Sequence, residues 1–203
     1  DAPERGFRFS EETADVTPLD MRMDQRLPAT AADLLSSASA AEIERWLREY
    51  GELPGAHRLA LAIDETRRAA PLRTVRDLLR VVERARVGGG RRHHPATLVF
   101  QALRIAVNDE LGALADAIDA AIDSLAPGGR LAVIAYHSLE DRLVKQCLRA
   151  EARGCVCPPR QPVCTCGRKP RVRIVTPRAV RASVEELREN PRARSARPRC
   201  RAC

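Results

Sequence analysis

Five consecutive apolar residues, Leu131-Ala132-Val133-Ile134-Ala135, constrain the fold of this chain more than any other feature. A strand with one wet face alternates apolar and polar residues, because successive side chains point to opposite sides. An unbroken apolar run after a helix predicts a strand buried on both faces, as in a parallel α/β sheet. Upstream, Phe100, Leu103, Val107, Leu111, Leu114, Ile118, Ile122 and Leu125 recur every three or four residues. They predict one long amphipathic helix opened by His94-Pro95. Proline suits a first helical position, where its missing amide would be unpaired anyway. Pro127-Gly128-Gly129 stops this helix, and Tyr136-His137 ends the strand. Ser138 then predicts the cap of another helix, with Asp141 completing the box and Leu139, Leu143 and Cys147 facing inward. Helix, turn, buried strand, polar turn and helix make half of a doubly wound unit, whose ligands lie beyond the carboxyl ends of the strands. That rule puts Tyr136, His137, Ser138 and Glu140 at the ligand edge.

Residues 28–92 read differently: they show helical signals and no strand. Thr30…Asp33, Ser39…Glu42 and Thr74…Asp77 have the spacing of capping boxes. Ile43, Leu47 and Tyr50 form one apolar stripe, Pro54 opens the next helix with Leu59 and Ile63 inward, and Leu78, Leu79, Val82 and Ala85 line a fourth. Gly88-Gly89-Gly90 ends it. The expected organisation is a loop segment over 1–27, an all-α domain over 28–92 and an α/β part over 93–203. Short strands at Val172–Val175 and from Ser195 onward suit a terminal antiparallel hairpin. The Pro18–Asp24 stretch has no periodicity and reads as an ordered loop.

The net charge of +8 is unevenly placed. Residues 153–203 carry 14 basic and 3 acidic side chains, net +11, whereas residues 1–27 and 93–152 are each −3. A basic block attracts phosphate and suggests nucleic acid. The plainer reading is proteome bias, since Arg outnumbers Lys 33 to 2. No apolar run approaches the roughly 20 residues of a membrane span, which excludes a transmembrane helix. The sequence begins at Asp1 with no basic-then-apolar leader, so secretion has no support, and the chain reads as a fragment of a larger protein.

Seven cysteines are many for a reduced cytosolic chain, but residues 1–146 contain none, which disfavours a secreted disulfide scaffold. Cys155, Cys157, Cys164 and Cys166 form C-x-C-x6-C-x-C, Cys200 and Cys203 lie at the end, and Cys147 stands on a helix. Four thiolates can hold zinc tetrahedrally, although C-x-x-C pairs are the commoner knuckle. The alternative is a cysteine-rich loop without metal. His93 and His94 could also ligate a metal; a capping or phosphate-facing role is the plainer one. No glycine-rich phosphate loop follows a strand, and the triple glycine follows a helix.

Seven blocks stand in order: Glu4-Arg5-Gly6-Phe7-Arg8-Phe9, Pro18-Leu19-Asp20-Met21-Arg22-Met23-Asp24, His94-Pro95-Ala96-Thr97, Phe100–Asn108, Gly128-Gly129-Arg130-Leu131, His137-Ser138-Leu139-Glu140-Asp141-Arg142 and Asn190–Ala196. Together they resemble the S-adenosylmethionine-dependent methyltransferases that modify N4 of one cytidine in the decoding region of 16S ribosomal RNA. The resemblance covers the whole chain. It implies the C-terminal part of a Rossmann-like class I methyltransferase fold with an all-α inserted domain. It also implies a cytoplasmic protein with 16S rRNA in the small ribosomal subunit as partner, and S-adenosylmethionine as cofactor. The family's cofactor contacts lie upstream of Asp1, so none is assigned here and this fragment is expected to bind the cofactor poorly. Thr17, Gly55, Leu61, Leu98, Val99 and Pro198-Arg199-Cys200-Arg201 depart from the family pattern, which bears on RNA contacts.

Under this resemblance Asp20, Asp24, His94, Asn108, His137 and Ser138 are the expected pocket or base-contacting residues. Each has a structural alternative: Asp24 as partner of Arg22 or Arg26, Asn108 bonded to backbone, Ser138 as a cap. Arg104, Arg142, Arg168, Lys169, Arg171 and Arg173 are the expected RNA contacts, with acid pairing the alternative for Arg104 and Arg142. A different class of function is a non-catalytic basic RNA-binding module, with or without a zinc staple.

Overall fold

Helices α1 (Ala31–Ser37), α2 (Ala40–Glu49) and α4 (Val75–Ala85) begin at Thr30, Ser39 and Thr74, whose hydroxyls accept the amides of Asp33, Glu42 and Asp77. Each acid bonds back to the amide of its cap, so two otherwise unpaired donors are satisfied at each start. The structure, a computed structural model, describes residues 13–88, 94–158 and 161–202. The Glu4–Phe9 block, Gly89, Gly90, His93 and Cys203 lie outside them.

Helix α3 (Ala56–Ala69) opens at Gly55, in the left-handed region with φ 81° and no side-chain cap, rather than at Pro54. Ile43, Leu47, Leu59, Ile63 and Leu78 from α2, α3 and α4 are completely buried in one core. Each contributes about 1.5–3 kcal/mol relative to an exposed position. Helix α5 (Pro95–Asn108) adds Val99, Phe100, Ala102 and Leu103 to that core, and the loop before α1 adds Leu19 and Met21.

The expected long helix is two. Asp109 adopts φ 46° and ψ 44°, ending α5, and α6 (Glu110–Asp123) starts anew. The apolar spacing runs through this break, which is why the sequence reads as one helix. Aspartate tolerates a left-handed backbone better than most residues. The chain forms two compact units, residues 1–110 and 111–203.

In the second unit, β1 (Arg130–Ala135) precedes α7 (Ser138–Glu151), and β2 (Arg173–Ile174) and β3 (Arg197–Ala202) follow. The sheet order is β1-β3-β2, with both pairs antiparallel; Arg130 lies opposite Ala202 and Ala135 opposite Arg197. The terminal pair β2 and β3 is antiparallel as expected. It is joined through α8 (Val184–Glu189) and a 3-10 turn at Pro191–Ser195 rather than by a tight hairpin turn.

Burial of β1 differs from expectation. Leu131 and Val133 pack on a core of Ile118, Ile122, Val144, Leu148 and Val172, while Ala132 is exposed and Ile134 is 55% exposed. Helices cover one face of the strand, and the alternation of side chains leaves the other uncovered among the described residues.

Candidate functional site

The loop around Asp20 is fastened at both ends by backbone bonds. Leu19 donates to the Arg73 carbonyl at 2.9 Å and Val75 to the Thr17 carbonyl at 3.0 Å, which ties the loop to the start of α4. The carbonyls of Asp20 and Leu19 accept the first amides of α1, from Ala31 and Ala32, at 2.7 and 2.9 Å. Between them Met21 has φ 62° and is 1% exposed. A left-handed non-glycine residue costs about 1–2 kcal/mol, so it persists only where surroundings enforce it.

Asn108, the last residue of α5, supplies that enforcement. Its Nδ2 donates to the carbonyls of Met21 and Arg104, both at 2.8 Å, and its Oδ1 accepts the Met23 amide at 2.6 Å. Its amide thus clasps the strained turn from both sides. The flanking acids are engaged. Asp20 accepts two bonds from the Arg22 guanidinium, at 2.7 and 3.1 Å. Asp24 pairs with Arg26 at 2.7 Å, and the Arg26 side chain and amide hold its carboxyl below the usual range.

Asp20, Asp24 and Asn108 are therefore brought together. His94 is not with them: it caps the opposite end of α5, where its Nδ1 accepts the Ala96 amide at 3.3 Å. Fourteen helical residues put about 20 Å between the two ends. A cavity of about 550 Å³ in this unit is lined by Asp33, Asp64, Arg67, Arg68 and Arg73 among others, and by none of the expected catalytic residues.

In the second unit the cap of α7 is His137, not Ser138. The ring Nδ1 accepts the Glu140 amide at 3.3 Å, and Glu140 Oε2 accepts the amides of Tyr136 and His137 at 2.8 and 3.3 Å. Ser138 is the first helical residue, and Asp141 accepts two bonds from Arg199 of β3, at 2.6 and 3.0 Å. Burial raises the Glu140 carboxyl, but contact with His137 and the Tyr136 amide outweighs it and brings it down to about 2. Nε2 of His137 is 3.2 Å from Glu140 Oε1 but outside hydrogen-bond geometry. It is a buried polar atom at this strand end without a hydrogen-bond partner among the described residues. The signal for this cap was in the sequence: His137-x-x-Glu140 has box spacing, with the ring replacing a hydroxyl.

Several expected RNA contacts face acids instead. Arg104 donates two hydrogen bonds to the Glu110 carboxylate, at 2.7 and 3.0 Å. Arg168 pairs with Glu151 at 3.0 Å, and Arg171 with Asp119, Asp123 and Glu151. Arg142, Lys169 and Arg173 are exposed. The sulfurs of Cys155, Cys157, Cys164 and Cys166 lie within 4.8 Å of one another.

The model of the MraW methylase family matches residues 1–202, and the chain belongs to that family. Among similar curated proteins are two named ribosomal RNA small subunit methyltransferase H. The one from Heliobacterium modesticaldum is 50% identical over 201 residues, covering 98% of this chain and 63% of the relative. The one from Thermomicrobium roseum is 52% identical over 199 residues, covering 97% of this chain and 59% of the relative. The chain thus spans about 60% of the length of these relatives.

Proposed function

We propose that this chain is part of an S-adenosylmethionine-dependent methyltransferase that modifies N4 of a cytidine in the decoding region of 16S rRNA, in the cytoplasm, on the small ribosomal subunit. The family match over residues 1–202 carries the reading, together with the relatives' shared name. In this reading residues 1–27 and 93–203 belong to a Rossmann-like methyltransferase domain, and residues 28–92 are a helical insertion within it.

S-adenosylmethionine supplies a methyl group on a sulfonium. No glycine-rich turn follows a strand among the described residues, and the polar end of β1 folds back on itself through Glu140 and the amides of Tyr136 and His137. In this reading the main cofactor contacts belong to the part of such enzymes outside this span.

What these residues do is hold the base. The exocyclic amine of cytosine is a weak nucleophile because its lone pair delocalises into the ring. Correct positioning of such a group can supply about 7–11 kcal/mol, and the base must leave its stack to be positioned. Asp20 and Asp24 carry carboxylate oxygens that can accept an amine N–H, and Asn108 is a positioning residue that keeps their loop in its left-handed turn. His137 offers Nε2, and Ser138 and His94 stand at helix starts where phosphate or base oxygen is attracted. No helix among the described residues is long and apolar enough to cross a membrane.

The test is methyl transfer from labelled S-adenosylmethionine to small ribosomal subunits that lack the modification, using the protein in its full encoded length. Stoichiometric incorporation into 16S rRNA is expected. Binding of the subunits with no incorporation would favour the non-catalytic RNA-binding module.

A further inference from the structure

Beyond α7 the chain makes an excursion over residues 152–172, with no helix or strand among its described residues. Its two ends meet. The Arg171 amide donates to the Glu151 carbonyl at 2.9 Å, and Arg168 bonds the Ala150 carbonyl and the Glu151 carboxylate at 3.1 and 3.0 Å. Among the described residues between Arg153 and Arg171 no apolar side chain is buried: Val156 and Val163 are 50% and 69% exposed. Irregular loops of this length are usually functional or are held by something other than their own packing.

Four sulfurs nevertheless converge inside it. Four of the six separations are 3.5 Å for Cys155 and Cys164, 3.5 Å for Cys164 and Cys166, 3.8 Å for Cys155 and Cys166, and 4.0 Å for Cys157 and Cys164, and all six lie within 4.8 Å. Two disulfides would sort the sulfurs into two bonded pairs. These are near-equidistant instead, as ligands of a common centre are. Zinc–sulfur bonds of about 2.3 Å in a tetrahedron put its sulfurs about 3.8 Å apart, in the middle of the observed range.

We propose that Cys155, Cys157, Cys164 and Cys166 bind one zinc ion through four thiolates, closing the excursion into a metal-stapled loop on the end of α7. The surroundings suit thiolate. The Cys157 amide donates to Cys155 Sγ at 3.4 Å. The amides of Val156 and Arg168 likewise face Cys166, and those of Thr165 and Cys166 face Cys157. Binding replaces each remaining S–H bond with an S–Zn bond and releases its proton to water; no atom changes oxidation state. The all-sulfur donor set selects zinc over magnesium or calcium, which take oxygen.

The proposal is independent of methyl transfer, and its readout is metal. Protein purified under reducing conditions with zinc in the medium should carry about one zinc per chain. After removal of that metal, cobalt(II) should give the intense sulfur-to-metal absorption of a tetrahedral thiolate site, abolished by one equivalent of zinc. Cys166→Ser should lose stoichiometric binding, and Cys147→Ser, outside the cluster on α7, should keep it. If Cys166→Ser fails to fold, the cobalt spectrum of the unaltered protein decides. No zinc and no such absorption would overturn the proposal. So would two disulfides among these four cysteines in the reduced preparation, or equal loss in Cys147→Ser.

Discussion

Asn108 shows how a single side chain can fasten a loop to a distant helix. Its amide donates both Nδ2 hydrogens to the carbonyls of Met21 and Arg104 and accepts the Met23 amide at Oδ1, three of its four hydrogen-bonding positions. Asn108→Ala should lower stability by about 1–3 kcal/mol, because two carbonyls and an amide lose their partner. Chemical denaturation measures this directly, and an unchanged midpoint would mean the clasp is dispensable. Asp20 and Asp24 were visible in the sequence as a polar loop, but the left-handed Met21 was not, because no local signal marks a methionine for that backbone. Only long-range bonding from α5 imposes it. Arg199 was equally hidden: within a basic tail it reads as a phosphate contact, yet it is 8% exposed and paired with Asp141.

At the level of elements, helix starts were the most legible part of the chain, because a capping box is local chemistry. Thr30, Ser39 and Thr74 each cap where their spacing predicts. The start of α7 moved by one residue because a histidine took the role expected of Ser138. That cap has a pH signature. The Glu140 carboxyl is held at about 2 against an ordinary 4.5, so the unfolded chain binds its proton more readily. The contribution is fully present above pH about 4.5 and is lost as pH falls toward about 2. Stability of Glu140→Gln should fall less steeply than that of the unaltered protein across this window, by thermal melts at stepped pH. Parallel slopes would place the acid sensitivity elsewhere. The strand β1 was legible as a strand but not in its environment. An apolar run states that both faces can be buried, not that both are covered within the same unit.

On the scale of the whole molecule, charge separates by unit. Residues 1–110 carry 17 basic and 18 acidic side chains, net −1, and residues 111–203 carry 18 and 9, net +9. Part of the basic excess is engaged internally, since Arg168, Arg171 and Arg199 hold acids of α6 and α7. If the tail meets phosphate, exposed cations such as Lys169 and Arg173 are expected to contribute. Replacing both with Gln should flatten the dependence of log K on log salt by about 0.7–0.9 for each phosphate no longer neutralised, with stability unchanged. Arg171→Gln should do the reverse, lowering stability with a smaller change in salt slope. Equal slopes for all three would return the charge to proteome bias.

Which atom receives the methyl group is the question on which the functional reading turns, and nucleoside mass spectrometry of 16S rRNA answers it most directly. Small subunits lacking the modification would be incubated with the full-length protein and S-adenosylmethionine, and the rRNA digested and mapped. The expected result is one methyl on N4 of a cytidine within the decoding region. A methyl on a ring carbon, a ribose oxygen or a nucleotide outside that region would contradict it.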